Sequence, residues 1–271
     1  MTIKKFSQLS KQEKLSKLTK KFKNPILTII ITVYNQGKIL NNCLNSIDSL
    51  NNEDVQILIV DDDSNEKTKK IIEKFKKNKP YTKVIINKKN RGVSNSRNLG
   101  IKNSEGKYII FLDADDYLIK ANLNKLKVFL YKLKRKEDLI IFRGFINKIN
   151  KKIFETRPYG SIKIRNINQV LDIYTKKICY GYSWLYCYKK DFLINNNISF
   201  EPNIFIGEDR LFTSFVFLNS PRISFFNHIF YTYTYDSNYI SQSKVINFLK
   251  NYFYNLKLMK KYNYLYEKYK T

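Results

Sequence analysis

Tyr108-Ile109-Ile110-Phe111-Leu112-Asp113-Ala114-Asp115-Asp116 is an unbroken apolar run that ends on three carboxylates in four positions. A run without alternation suits a strand buried on both faces, as in a parallel sheet covered by helices. Similar runs occupy residues 26–33, 55–60, 83–86 and 139–142, and stretches with helical spacing lie between them at 39–50, 66–77, 93–102 and 121–134. Strand and helix in alternation predict a doubly wound α/β layer, an open, mostly parallel twisted sheet flanked by helices. Ligands of such sheets bind beyond the carboxyl ends of the strands. Three predicted strand ends carry polar clusters, at residues 32–35, 61–64 and 113–116. That repetition at one edge is the first functional signal.

The rest of the chain is less regular. Residues 166–174 and 208–219 have helical spacing, 184–188 reads as a strand, and 230–235 alternates aromatic residues with threonine. At the amino end Ile3, Phe6, Leu9, Leu15, Leu18 and Phe22 recur among lysines as in a basic amphipathic helix, which Pro25 ends. At the carboxyl end Phe248, Leu249, Tyr252, Phe253, Leu256 and Met259 form an apolar helical stripe opposite lysines. The expected organisation is a helix over 1–24, one α/β domain over 25–240 divided near 135, and a basic aromatic helix over 241–271. No apolar run reaches the roughly 20 residues that span a bilayer. Residues 1–24 lack the continuous apolar stretch of a secretion signal, so the expected compartment is the cytoplasm.

Composition narrows the chemistry. The chain has 271 residues, 43% hydrophobic and 15% aromatic, enough for one large core. Its three cysteines, Cys43, Cys179 and Cys187, form no C-x-x-C pair, and His228 is the only histidine. A disulfide framework, a zinc site and a Ser-His or Cys-His nucleophile are therefore disfavoured. Chemistry falls to carboxylates, hydroxyls or a metal. The formal charge of +27, from 50 basic and 23 acidic residues, attracts polyanions: nucleic acid, anionic lipid headgroups or phosphorylated substrates.

Each polar cluster has two readings. Asp113, Asp115 and Asp116 repel one another unless a cation neutralises them. A D-x-D on a strand-end turn can hold Mg2+ or Mn2+, with substrate phosphate completing the shell, or it can be a solvated turn with Asp116 capping the next helix. Asp62 can accept a hydrogen bond from the imide N–H of uracil, while the same stretch can cap a helix through Ser64 or Asn65. Gly92 permits a tight turn before Arg97, whose forked donors suit a diphosphate or simply face water. Glu208 and Asp209 stand at a predicted helix start, either as a general base or as charges that complement the helix dipole.

In order and spacing, residues 27–35, 59–64, 90–98, 108–116 and 207–209 together resemble glycosyltransferase family 2, over about residues 26–235. The resemblance implies a GT-A fold, with a nucleotide-binding half at 25–135 and an acceptor half at 136–240. It implies that Thr32, Tyr34 and Asn35 line the nucleotide site, that Asp62 contacts uracil and that Arg97 lies near the nucleotide and phosphates. Asp113 would hold the ribose or sugar side, Asp115 would ligate Mn2+ or Mg2+, and Asp209 would be the catalytic base with Glu208 as alternate. Trp184, Asp116 and His228 are further candidates for contact with sugar or acceptor. Two departures stand out: Asp63 replaces the usual glycine, and no arginine follows Tyr233. Arg210, His228 or Lys244 would have to supply that missing cation.

The implied reaction is a single displacement that inverts the anomeric centre of a UDP-sugar, with a hexosyl or N-acetylhexosaminyl group passing to a hydroxyl of a glycan or lipid-linked glycan. A bacterial surface polysaccharide, capsule or lipooligosaccharide, is the expected product. Two other readings compete. A nucleic-acid-binding protein would use the positive charge, although basic residues are spread along the whole chain and no nucleic acid is expected. An inactive transferase-like scaffold would keep the fold without the carboxylates. The terminal helices have three expected fates: contact with the anionic inner face of the membrane, packing on the core, or a homo-oligomer contact.

Overall fold

The computed structural model describes residues 25–49, 54–79, 82–133, 137–148, 154–155, 181–204, 207–219 and 222–235. The expected helices over 1–24, 166–174 and 241–271, together with Lys244 and Cys179, lie outside the described residues. Among the described residues no helix is long and apolar enough to cross a membrane.

Four strands build the amino half: β1 (Leu27–Val33), β2 (Val55–Asp61), β3 (Lys83–Ile86) and β4 (Tyr108–Asp113). They lie in the order β3-β2-β1-β4 and are all parallel. The uninterrupted apolar residues of β1, β2 and β4 are buried, as strands covered on both faces require, whereas β3 at the edge of the order is only partly buried and leaves Ile86 exposed. The register is what matters for function. Thr32 pairs with both Val60 and Asp113, and Asp61 pairs with both Val33 and Ile86, so the ends of all four strands are level.

The helices of this half are α1 (Leu40–Ile47), α2 (Glu66–Asn78), α3 (Val93–Asn103) and α4 (Lys120–Lys132). On α1 the buried residues Leu40, Cys43, Leu44 and Ile47 follow the i, i+3, i+4, i+7 stripe. A 3₁₀ turn, Gly37–Ile39, takes the first part of the predicted 39–50 helix. Asn65 caps α2 by accepting the Thr68 N–H at 3.1 Å. Helix α3 sits flush on β1 at Gly100, where a Cβ would run into the Ile30 side chain.

The remaining strands are β5 (Tyr117–Leu118), β6 (Leu139–Lys148), β7 (Phe154–Glu155), β8 (Tyr186–Lys189) and β9 (Ile223–Tyr235), with helices α5 (Lys190–Asn195) and α6 (Glu208–Leu218). The sheet continues from β4 as β8-β6-β9-β5, with β7 beside β6. Strand β8 runs antiparallel to β4 and β6, while β6 and β9 are parallel. β5 follows β4 after one turn yet pairs with β9 at the far end of the order, so this half curls back. Of the predicted strand at 184–188, its start is a 3₁₀ turn, Ser183–Leu185, and β8 follows. An aromatic core joins the halves: Phe111 meets the rings of Tyr188, Phe200 and Phe212, and Phe200 stacks on Phe212 at 3.9 Å.

Candidate active site

The level strand ends present three loops to one edge, and side chains fasten the first two together. After β1, Asn35 adopts a left-handed φ of 55°. Its N–H donates to Ser64 Oγ at 3.0 Å and its Oδ1 accepts the Asn65 N–H at 2.7 Å. After β2, Asp61 Oδ1 accepts the Ser64 N–H at 3.0 Å. Asp63 also takes a left-handed φ, 65°, a conformation that explains glycine as the family's usual choice there and one that aspartate tolerates better than most residues. Thr32 is half-buried at the end of β1, and Tyr34 stands exposed beside it.

Asp62 is buried, at 3% exposure. Its Oδ1 accepts from Asn87 Nδ2 at 2.6 Å and from the Arg91 N–H at 3.0 Å, and its Oδ2 accepts the Gly92 N–H at 2.8 Å. A carboxylate offers about four acceptor directions. Asp62 therefore builds the 87–92 loop first, and keeps about one direction for a further donor such as a base imide.

Arg97 is the hub of the site. It projects from α3 into a buried position, with its Cζ 5.1 Å from the centre of the Phe200 ring. Nη2 donates to Asp113 Oδ1 at 2.8 Å. Nη1 donates to Asp209 Oδ1 at 2.8 Å and to Glu208 Oε1 at 3.2 Å. Three carboxylates around one guanidinium leave a surplus of negative charge. Burial works against the charged guanidinium, but Asp209, Asp113 and Glu208 outweigh it and hold its pKa well above the ordinary value. Burial and the neighbouring Asp209 push Glu208 up to about 7, against the pull of Arg97. Asp209, beside Ser183, is raised by burial and by Asp113, again against Arg97. Sequence reasoning sent Arg97 toward a diphosphate. Among the described residues its hydrogen bonds go to protein carboxylates, two of them more than a hundred residues away in the chain.

Residues 113–116 form a tight turn closed by Asp116 N–H to Asp113 O at 3.1 Å. Asp115 stands at its exposed tip, where desolvation by the surrounding site and the Asp113 carboxylate raise its pKa to about 6. A carboxylate that binds protons this readily suits a cation, and the donors here are hard oxygens of the kind Mg2+ and Mn2+ prefer. Among the described residues no three His, Cys, Asp or Glu side chains form a ready cage. A cation held here would draw further oxygens from its substrate.

Three expectations need correction. Asp116 neither caps α4 nor reaches outward: it is fully buried, accepting Tyr231 OH at 2.6 Å and the Thr234 N–H at 2.7 Å. Trp184 offers no face to a sugar. It is 2% exposed, and the rings of Tyr182, Tyr231 and Tyr233 lie parallel to it at 5.2, 4.4 and 5.8 Å. His228 sits where β9 shifts register against β6, with its ring 5.0 Å from that of Phe226 on the α4 side of the sheet. It does not join the carboxylates. Of the other proposed cations, Arg210 is exposed and lies along Gly181. The sequence reading missed Tyr231, Thr234 and Asn87; the aromatic–threonine alternation at 230–235 marked the strand but not its bond to Asp116.

Residues 28–203 match the Glycosyl transferase family 2 profile. The chain is 28% identical over 211 residues to the poly(ribitol-phosphate) beta-N-acetylglucosaminyltransferase TarS of Staphylococcus aureus, an alignment covering 76% of this chain and 35% of that protein. It is 29% identical over 201 residues to the poly(ribitol-phosphate) beta-glucosyltransferase of Bacillus spizizenii, covering 73% of this chain and 30% of the relative. The chain thus spans about a third of each of these curated relatives. Among solved structures, S. aureus TarS 1-349 in complex with UDP-GlcNAc superposes with a TM-score of 0.64 at 26% identity, covering 79% of this chain and 62% of that one. A Pyrobaculum calidifontis mannosyltransferase bound to GDP-Man and Mn2+ shares the fold, with a TM-score of 0.54 at 11% identity, covering 83% of this chain and 64% of the other.

Proposed function

This chain belongs to glycosyl transferase family 2 and has the GT-A type of fold, and we propose that it moves a sugar from a UDP-sugar to a hydroxyl of a surface-polymer acceptor with inversion at the anomeric carbon. One observation carries the reading: Arg97 draws Asp113, from the amino half, and Asp209 and Glu208, from α6, around a single guanidinium. Such an arrangement suits a sugar transferase, because it brings a proposed donor-side carboxylate beside two proposed acceptor-side ones.

In this reading Thr32, Tyr34 and Asn35 line the nucleotide site at the end of β1, and the remaining acceptor direction of Asp62 meets the uracil imide. Asp115, supported by Asp113, would hold Mg2+ or Mn2+ on the diphosphate. When bound, that ion offsets charge that builds on the departing UDP. Asp209 takes the proton from the acceptor hydroxyl, which attacks the anomeric carbon as the bond to UDP breaks. Its raised proton affinity favours that transfer, since a base works best with a pKa near the working pH. Arg97 fixes the Asp209 carboxylate and keeps Glu208 beside it as a second acceptor of the proton.

The two curated relatives named above act on poly(ribitol-phosphate) by their names. We therefore place the acceptor among phosphate-bearing surface polymers of the teichoic-acid kind rather than capsule or lipooligosaccharide. The high positive charge of the chain supports a polyanionic acceptor. Incubation of the purified chain with UDP-GlcNAc or UDP-glucose, Mn2+ and poly(ribitol phosphate) should release UDP and glycosylate the polymer. Failure of every UDP-sugar to bind or to raise the melting temperature in the presence of Mn2+ would overturn the reading.

A further inference from the structure

We propose that Tyr231 is a positioning residue for the carboxylate turn at 113–116, setting the direction in which Asp115 is presented. The proposal rests on Asp115 as the cation ligand. Its support is a set of bonds that converge on one hydroxyl. Tyr231 Oη accepts the Asp113 N–H at 3.1 Å and donates to Asp116 Oδ2 at 2.6 Å. The other oxygen of Asp116 accepts the Thr234 N–H at 2.7 Å. Both ends of the turn are thus fastened to β9, and Asp115 lies between the two fastened residues. The residues just after the turn are tied to the same strand, with Tyr117 opposite Thr232 and Leu118 opposite Tyr231.

The hydroxyl has little freedom to move away. The Tyr231 ring is buried and stacks on Trp184 at 4.4 Å with 16° between planes. Trp184 lies next to Ser183, which neighbours Asp209. The aromatic stack therefore joins the turn that presents Asp115 to the segment beside the proposed base. The buried tryptophan and the buried third aspartate thereby hold the turn rather than touch a sugar.

Replacing Tyr231 by phenylalanine keeps the stack and removes the hydroxyl. Mn2+ binding in the presence of UDP, followed by calorimetry and by the Mn2+ electron paramagnetic resonance signal, should weaken roughly 10-fold, the lower end of the effect of losing a partner that orients a ligand. The KM for Mn2+ should rise by a similar factor, with turnover recovering at saturating Mn2+. Mn2+ binding equal to wild type, or a loss confined to turnover at unchanged KM for Mn2+, would overturn the proposal. Asp115→Asn is measured in parallel: undiminished Mn2+ binding by that variant would overturn the cation assignment itself. If Tyr231→Phe melts too early to assay, Asp116→Asn replaces it. That variant leaves one acceptor for two donors and should shift Mn2+ affinity in the same direction; no shift would again overturn the role of the turn's anchor.

Discussion

Two arginines mark the two ends of the sheet. At the carboxyl edge Arg97 is 4% exposed by side chain and faces three carboxylates. At the amino edge Arg222 is 58% exposed and faces Asp138, with Nε to Oδ2 at 2.8 Å and Nη2 to Oδ1 at 3.0 Å. Asp138 also takes the Arg222 N–H at 3.2 Å, where β6 and β9 begin. At the amino edge Lys189 also reaches Asp138 at 3.4 Å, so one sheltered carboxylate lies between two cations, of which Arg222 stands largely in water; at the carboxyl edge three carboxylates crowd one buried cation. A cluster that only joins strands can leave its surplus cation in water, as Arg222 does, and has no reason to bury surplus charge. A site with the proposed roles, attracting a cation and taking up a proton, would have such a reason and would accept the cost in stability.

Breaking the buried hub should give the largest effect. Arg97→Met leaves Asp113, Glu208 and Asp209 without their counter-charge and should lower stability by about 3–5 kcal/mol in urea unfolding. The deficit should shrink as the pH falls and these carboxylates take up protons. A deficit that is independent of pH would mean that packing, not charge, is the role of Arg97.

Next comes Asp209→Asn, which removes one charge from an overcharged site. Turnover should fall about 10²–10⁴-fold while UDP affinity and melting temperature hold or rise. Wild-type turnover would end the assignment of the base.

The pH response sharpens the contrast further. Glu208 rises from an ordinary 4.5 to about 7, so the folded chain keeps a proton there that the unfolded chain has released. Its contribution to stability is full below about 4.5 and is lost as the pH rises through about 7. Asp138 runs the other way. Partial burial works against its charged form, yet the hydrogen bonds from Arg222 keep its pKa below 3.8, so its contribution is present above 3.8 and fades as the pH falls below that. On the proposed roles, turnover would need a deprotonated Asp209 and an unprotonated Asp115, itself raised to about 6. Between pH 5 and 7, on the order of the shifts above, activity should therefore rise while thermal stability falls; parallel curves would count against the carboxylate cluster. The smallest effect belongs to the Arg222–Asp138 contact, whose arginine is largely exposed and whose carboxylate keeps Lys189 beside it. Arg222→Ala should cost about 0.5–1 kcal/mol and leave transfer unchanged.

The amino half of the fold was legible in the sequence for a physical reason. Parallel strands buried on both faces leave continuous apolar runs, and their polar ends fall at one edge. The curled half was less so: β5 and β7 are two residues each, below the length at which periodicity can speak. The site divides in the same way. Asp62, Asp113, Asp115, Glu208 and Asp209 could be named because each sits at the end of a strand or the start of a helix. What they touch could not. Nothing local in Arg97 announces a bond to Asp209, 112 positions on, and nothing in Trp184 announces three tyrosines against its ring. Exposure and pairing across long separations are products of the packed chain.

Gly100 lies one turn after Arg97 on the helix that rests against Ile30. A glycine inside a helix usually weakens it, by about 0.5–1 kcal/mol relative to alanine. Here it works as a shim. The smallest side chain that could be added would run into Ile30, so either that side chain or α3 must give way, and any shift of α3 would move the guanidinium relative to the three acidic groups it grips, although Gly100 meets none of them. Reaction geometry tolerates little of this, since a displacement of about 1 Å can cost about 10²-fold in rate. Alignment of the carboxylate cluster around Arg97 is thus set partly by the thickness of a missing methyl group.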